Sequence, residues 1–116
     1  VLEGAVDSHY GIGDTIWDGS WVLRGYDAGF HLKSTTAWDD EGGGSDLYGF
    51  KALPGGDRFT NGQYYNLGGH GFWWTSTQHS IPFAYYRLLY YYYPQMYRNG
   101  DIKKYAGMSV RCIRDE

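Results

Sequence analysis

Cysteine occurs once, as Cys112, so no disulfide can close within the chain and chemistry that needs a cysteine pair is excluded. Between Val110 and Ile113 this lone thiol reads as a small buried hydrophobe in a strand. The missing disulfides leave the compartment open, because secreted proteins also do without them. No apolar run approaches the roughly 18 residues a spanning helix needs, so membrane insertion by this segment is not expected, and no signal peptide is visible. The chain opens on Val1 rather than Met and is expected to be cut from something longer, whose remainder could carry an export signal. A net charge of −3 excludes the broad cationic field that phosphate binding requires, so nucleic acid is not an expected partner. Arg98, Lys103, Lys104, Arg111 and Arg114 make only the C-terminal third locally basic, in the manner of a solvated edge.

Catalytic and metal-binding patterns are equally scarce. The four histidines, His9, His31, His70 and His79, stand far apart with no HxH or HExxH spacing, and no GxSxG elbow occurs. The glycine-rich LPGGDR and LGGHG lack the lysine and the strand-to-helix setting of a phosphate cradle. No metal, no cofactor and no catalytic residue is therefore expected. His70 and His79 flank a tryptophan-bearing segment and read as loop hydrogen-bonders or ligand contacts. One acidic stretch, Asp39, Asp40, Glu41 and Asp46 around three glycines, admits a calcium reading, although its spacing is not that of an EF-hand; a solvated turn is the alternative.

What the chain does have is aromatic rings and glycine. Aromatics make up 20% of its 116 residues and glycine contributes 18, while Ala and Leu are sparse and proline numbers three. That composition favours strands and ordered loops over helix. The length fits one domain spanning residues 1–116, able to bury roughly two-thirds of its unfolded surface. Eight of the thirteen tyrosines fall between Tyr85 and Tyr105, and Tyr90 to Tyr93 are consecutive. A strand sends alternate side chains to opposite faces, so Leu89 and Tyr91 should share one face, and Tyr90 and Tyr92 the other. At least two of these phenols must face outward, where a rigid amphipathic ring suits a binding surface.

Along the chain, VLEGAVDS has Val1, Leu2, Ala5 and Val6 at helical spacing and should form a short helix stopped by Gly11 and Gly13. From Asp14 to Phe30, Trp17 and Trp21 punctuate a stretch read as loop with at most short strands. Thr35 to Tyr48 reads as loop, and Asn61-Gly62 signals a two-residue hairpin. Strands are expected over Gly71 to Thr77, Phe83 to Tyr92 and Met108 to Arg114. Within the first of these, Trp73 and Trp74 should point to opposite faces, one of them into the core. The sum is an α+β domain with a small antiparallel sheet, one or two short helices and long glycine-rich loops.

LKSTTAW, GGGSDLYGFKALPGG, NLGGHGFWWTSTQ, AYYRLLYYYY and MSVRCIRD, in that order between about Trp17 and Asp115, resemble the Fibrobacter succinogenes major paralogous domain, a family of exported bacterial proteins and lipoproteins. The resemblance implies a C-type-lectin-like fold of the formylglycine-generating-enzyme type with a twisted sheet, and a domain whose N-terminal part is missing here. Formylglycine chemistry itself would need a cysteine pair, and the EPN, QPD and WND tripeptides of calcium-dependent sugar-binding lectins are absent, so the fold alone names no ligand. Some members resemble variable proteins of diversity-generating retroelements. In those, the changing positions correspond to Tyr90, Tyr92, Tyr93, Gln95, Tyr97 and Asn99, with Leu89 and Tyr91 as scaffold. Gln95 and Met96 depart from that pattern, since adenine-directed change of Asn-type codons yields neither.

Three functions compete. The leading one is a non-catalytic ligand-binding or adhesion module of a cell-surface or secreted protein, presenting Phe83, Tyr90, Tyr92, Tyr93 and Tyr97 with His79 and Asn99 at the rim to a protein or glycan. The second is a structural domain whose tyrosines join copies in a fibre or layer. The third is a glycan-acting enzyme using Asp39, Glu41 or Asp46, for which no pair is placed at the separation glycosidases use.

Overall fold

The computed structural model describes residues 1–19 and 22–114, so Trp21 and Asp115 lie outside it. The domain is α+β. A four-stranded antiparallel sheet has the order β1-β6-β5-β4, formed by β1 (Val22–Arg24), β4 (His70–Ser80), β5 (Phe83–Tyr90) and β6 (Met96–Asn99). A separate two-stranded ladder pairs β2 (Asp57–Arg58) with β3 (Tyr64–Tyr65). Two five-residue helices, α1 (Leu2–Val6) and α2 (Ala28–Leu32), complete it, with 3-10 turns at Thr15–Asp18 and Asp39–Glu41.

The sheet is covered on both faces, and strand alternation assigns the residues. Leu89 and Met96 meet Val6, Ala28, Leu32, Trp38 and Ala52 in one cluster beneath the helices, with Trp73 and Tyr91 packed against it. Phe72, Tyr86 and Leu88 form the other cluster, joined by Trp74, Tyr90, Tyr97, Ile102 and Met108. Trp73 and Trp74 thus serve opposite faces, as alternation requires, and each indole has its own cluster. The same rule separates Leu89 and Tyr91 from Tyr90.

Helix α2 occupies part of the stretch read as loop. Its cap comes from twenty residues away: Asp7 Oδ2 accepts the backbone N–H groups of Tyr26, Asp27 and Ala28 at 2.8–3.1 Å. Asp7 Oδ1 takes those of His9 and Tyr10. Burial opposes ionisation of Asp7, but these backbone donors outweigh it and hold the carboxyl below its ordinary value. Gly29 is needed for close approach, since a Cβ there would meet the Gln95 carbonyl at 2.6 Å and Leu89 at 2.8 Å.

Helix α1 buries a different face from the one its apolar spacing predicts. Val1 and Ala5 are exposed, while Glu3 and Gly4 are buried with Val6. Glu3 turns inward because two cations meet it there. Arg24 Nη2 donates to Glu3 Oε1, and Arg87 Nε reaches the same oxygen at 2.9 Å. The Asn61-Gly62 hairpin forms, but with a longer loop: Phe59 N–H bonds the Gln63 carbonyl at 2.8 Å, Asn61 Oδ1 accepts from Gln63 N–H, and Gly62 takes φ +86°.

The expected strand at Met108 to Arg114 does not form. Ser109 bridges Trp73 and residues 111–114 join no ladder. Cys112 is consequently exposed rather than buried. Iodoacetamide should therefore alkylate Cys112 in the native protein within about threefold of the rate in urea, and protection of the native thiol by a hundredfold or more would contradict this placement.

An aromatic cleft as the candidate functional site

The second face of the sheet opens toward the β2–β3 hairpin as a cleft of about 480 Å³. Phe72, Leu88 and Tyr86 are its buried sheet residues, and Asp57, Phe59, Asn61, Tyr65 and Asn66 line it from the hairpin. Ile102 contributes from the segment after β6, and His70 and Tyr90, partners in the β4–β5 register, complete it. The hairpin is held against the sheet by a Gly56–Gly71 bridge, in which Gly56 N–H donates to the His70 carbonyl at 2.8 Å. Gly56 has φ +65°, and a Cβ there would strike the Tyr65 carbonyl, so glycine is required for this contact.

A chain of rings leads out of the cleft. His70 stacks on Phe72 (5.9 Å, 12°) and meets Tyr90 edge-on at 4.5 Å. Tyr90 meets Tyr93 at 5.6 Å and Tyr93 meets Tyr92 at 5.1 Å, both nearly perpendicular, an attractive geometry for aromatic quadrupoles. Strand β5 ends at Tyr90, so Tyr92 is free of strand alternation and stands 71% exposed. The turn is fixed from below by Lys33, whose buried Nζ donates to the carbonyls of Tyr90 (2.6 Å), Gly42 (3.2 Å) and Tyr91 (3.4 Å). Tyr91 N–H donates to the Gly69 carbonyl at 2.8 Å.

Burial shapes the ionisation of these groups. It raises Tyr90 above its ordinary 10.0, with Tyr97 and Tyr93 adding to the shift. It also lowers His70 from 6.5, against the pull of Asp57 and Asp39, so the imidazole is neutral at pH 7. Tyr86 is pushed far upward by burial and then by Asp101, to which its hydroxyl donates at 2.9 Å. Phenols in this state are hydrogen-bonding groups, not bases.

The residues singled out from sequence divide. Tyr90, Tyr92 and Tyr93 come together, and Tyr97 joins the same face beside Tyr90. Asn99 is not a rim residue: it is 5% exposed, its Oδ1 accepting from Gly100 N–H and its Nδ2 donating to the Tyr97 hydroxyl at 3.4 Å. Its parity is that of Tyr97, but β6 lies inside the sheet between β1 and β5, which encloses it. His79 and Phe83 sit at the far end of the β4–β5 hairpin, where Ser80 pairs with Phe83. Seven residues at about 3.3 Å each separate Phe83 from Tyr90, and odd parity turns Phe83 to the other face. There His79 packs edge-on to Tyr85 at 5.1 Å. Phe59, Tyr65, Asp57 and Asn66 enter the site without having been singled out; the aromatic flanks of Asn61-Gly62 were the available signal.

In the acidic loop, as elsewhere among the described residues, no three His, Cys, Asp or Glu side chains converge. Its glycines serve packing, since a Cβ at Gly42 would collide with the Tyr91 carbonyl and one at Gly44 with that of Phe30. Asp46 Oδ1 instead accepts from Lys51 N–H at 2.7 Å. No helix among the described residues is long and apolar enough to cross a membrane.

A family model described as Fibrobacter succinogenes major domain matches residues 7–114. No curated protein and no solved structure matches the chain.

Proposed function

The chain belongs to the Fibrobacter succinogenes major domain family, and from that premise we propose that it is a non-catalytic ligand-binding or adhesion module of an exported bacterial surface protein. The reading rests on one observation above all: the chain of edge-to-face rings from His70 through Tyr90 and Tyr93 to the exposed Tyr92, at the mouth of an aromatic cleft. Rings braced by one another lose little conformational entropy when a ligand covers them, and their hydroxyls supply adaptable hydrogen bonds. The absence of catalysis is part of the proposal, supported by phenols whose burial holds them in their protonated form. The exported, cell-surface location comes from the family resemblance, and so does a C-type-lectin-like relationship of the fold.

The test is replacement of Tyr90, Tyr92 and Tyr93 by serine in the intact parent protein, probed on protein and glycan arrays. Affinity for the ligand should fall by roughly 100-fold, the three interfacial aromatic anchors being worth about 1 kcal/mol each. If a folded triple variant kept every ligand of the parent, this surface would not be the site. A second reading, self-association, draws on the strongly exposed Tyr64 and Leu67, apolar surface outside the cleft lining. Sedimentation at rising concentration separates the two, because an assembly module oligomerises and a receptor-binding one stays monomeric.

A further inference from the structure

The cleft carries a carboxylate that forms no ion pair among the described residues. Asp57 lines it and is 7% exposed, yet among the described residues its carboxylate has one hydrogen-bond partner, the neutral amide of Asn66, whose Nδ2 donates to Oδ1 at 3.0 Å. A carboxylate offers about four acceptor sites, so most of its capacity is unused. Among the described residues no ion pair involves Asp57, and the cleft lining contains no lysine or arginine. A carboxylate set among rings with acceptor capacity to spare is a ready counter-charge for a cation that enters the cleft.

The surroundings add to the same field. Asp101 sits on the hydroxyl of Tyr86, and Asp39 acts electrostatically on His70, so the cleft is negative beyond Asp57 itself. His70 contributes no compensating charge near neutrality, because burial keeps its imidazole from protonating. The walls are the ring systems of Phe59, Tyr65, His70, Phe72 and Tyr90. Aromatic faces carry negative quadrupoles and attract cations, most of all planar ones that also stack.

We propose that this cleft recognises a cationic side chain, an arginine guanidinium of a protein ligand, with Asp57 as the counter-charge and the Tyr65, Tyr90 and Phe59 rings as the stacking walls. This rests on the binding reading above and names the ligand chemistry of its inner half. A guanidinium matches the cleft on two counts: its flat face lies on rings, and its edge presents fixed N–H donors to a carboxylate. A sugar would use stacking and hydroxyls but leave the Asp57 charge uncompensated.

The experiment is saturation-transfer NMR on the intact protein at low ionic strength with Nα-acetyl-arginine methylamide, the neutral isostere Nα-acetyl-citrulline methylamide, and methyl glucopyranoside. The arginine amide should bind at least tenfold more tightly than the citrulline amide, and 150 mM salt should weaken it severalfold. Asp57→Asn, nearly isosteric, should abolish the difference between the two amides. Phe59→Ala, at an exposed position of the hairpin, should weaken the arginine amide severalfold without touching Asp57, and it decides the matter if the Asp57→Asn variant fails to fold. Equal binding of the two amides, or arginine binding undiminished in both variants, overturns the inference. So does binding of the glycoside alone. In either case the serine-substituted tyrosine surface is judged separately by its own array result, so the cleft's ligand class can fail while the binding surface stands.

Discussion

Replacing Glu3 by alanine is expected to destabilise the domain by about 3–5 kcal/mol, because it leaves the Arg24 guanidinium buried without its counter-charge and removes the partner of Arg87. Arg24 is 2% exposed, bonded by Nη1 to the Trp17 carbonyl and by Nη2 to Glu3, so it cannot turn out to water without opening the contact between α1 and β1. For a domain of this size the loss corresponds to a fall in Tm on the order of 15 °C. Glu3→Gln keeps the shape and one acceptor and should lose less. Burial by itself would raise the Glu3 pKa, but Arg87 and Arg24 together outweigh it and bring the carboxyl below its ordinary 4.5. A depressed acid stabilises the fold fully above 4.5 and loses that contribution as pH falls through the lower folded value. Urea titrations at stepped pH should show wild-type stability falling in that window and the Glu3→Ala curve flatter there. Equal acid sensitivity in the two proteins would show that Glu3 is not the group concerned.

Why this network was invisible in the sequence is a matter of range. The spacing of Val1, Leu2, Ala5 and Val6 describes a helix correctly but not which side it buries. That choice is made by Arg24 and Arg87, 21 and 84 positions away. The same holds for α2, whose five residues have no side-chain cap of their own and depend on Asp7. By contrast, the β4–β5 hairpin was legible because it is dense in aromatic residues, and its faces alternate where His70 to Trp74 pair regularly with Tyr90 to Tyr86, before the register shifts beyond Trp74. Met108 to Arg114 carries a comparable pattern but meets the β4 edge only at the Ser109–Trp73 bridge, and propensity without a continued register makes no strand.

The candidate site shows the same division. Four consecutive tyrosines could not all be buried, and that elementary constraint pointed to Tyr92 and Tyr93 at an exposed turn, with the half-buried Tyr90 at the end of β5 beside them. The cleft beside them depends on the Gly56–Gly71 bridge bringing the hairpin to the sheet, a contact that no local pattern encodes. Asn99 failed as a rim residue for the opposite reason: parity gave its face correctly, while the neighbouring strands decided its depth.

Lys33 supplies the second large effect, and it joins stability to the site. Its ammonium lies beneath the tyrosine turn, 5.2 Å from the Trp38 ring, and holds the Gly42 loop and the Tyr90 and Tyr91 carbonyls together. Lys33→Met should cost about 2–4 kcal/mol, since unbonded buried carbonyls each cost about 1–3 kcal/mol while the desolvation of the charge is relieved. Amide exchange at Tyr91 should accelerate beyond what that global loss predicts, because the turn above the vacated position opens first. In the wild type, burial lowers the Lys33 pKa from 10.5 to about 8. A base depressed in the folded state binds fewer protons folded than unfolded between those values, so stability rises with pH there instead of falling. Between about pH 8 and 10, below the ionisation of tyrosine in the unfolded chain, the wild type should gain about 2 kcal/mol relative to Lys33→Met. Parallel stability curves for the two proteins across that range would mean that the lysine stays charged in the fold throughout it and that its three carbonyl partners, not its burial, govern it.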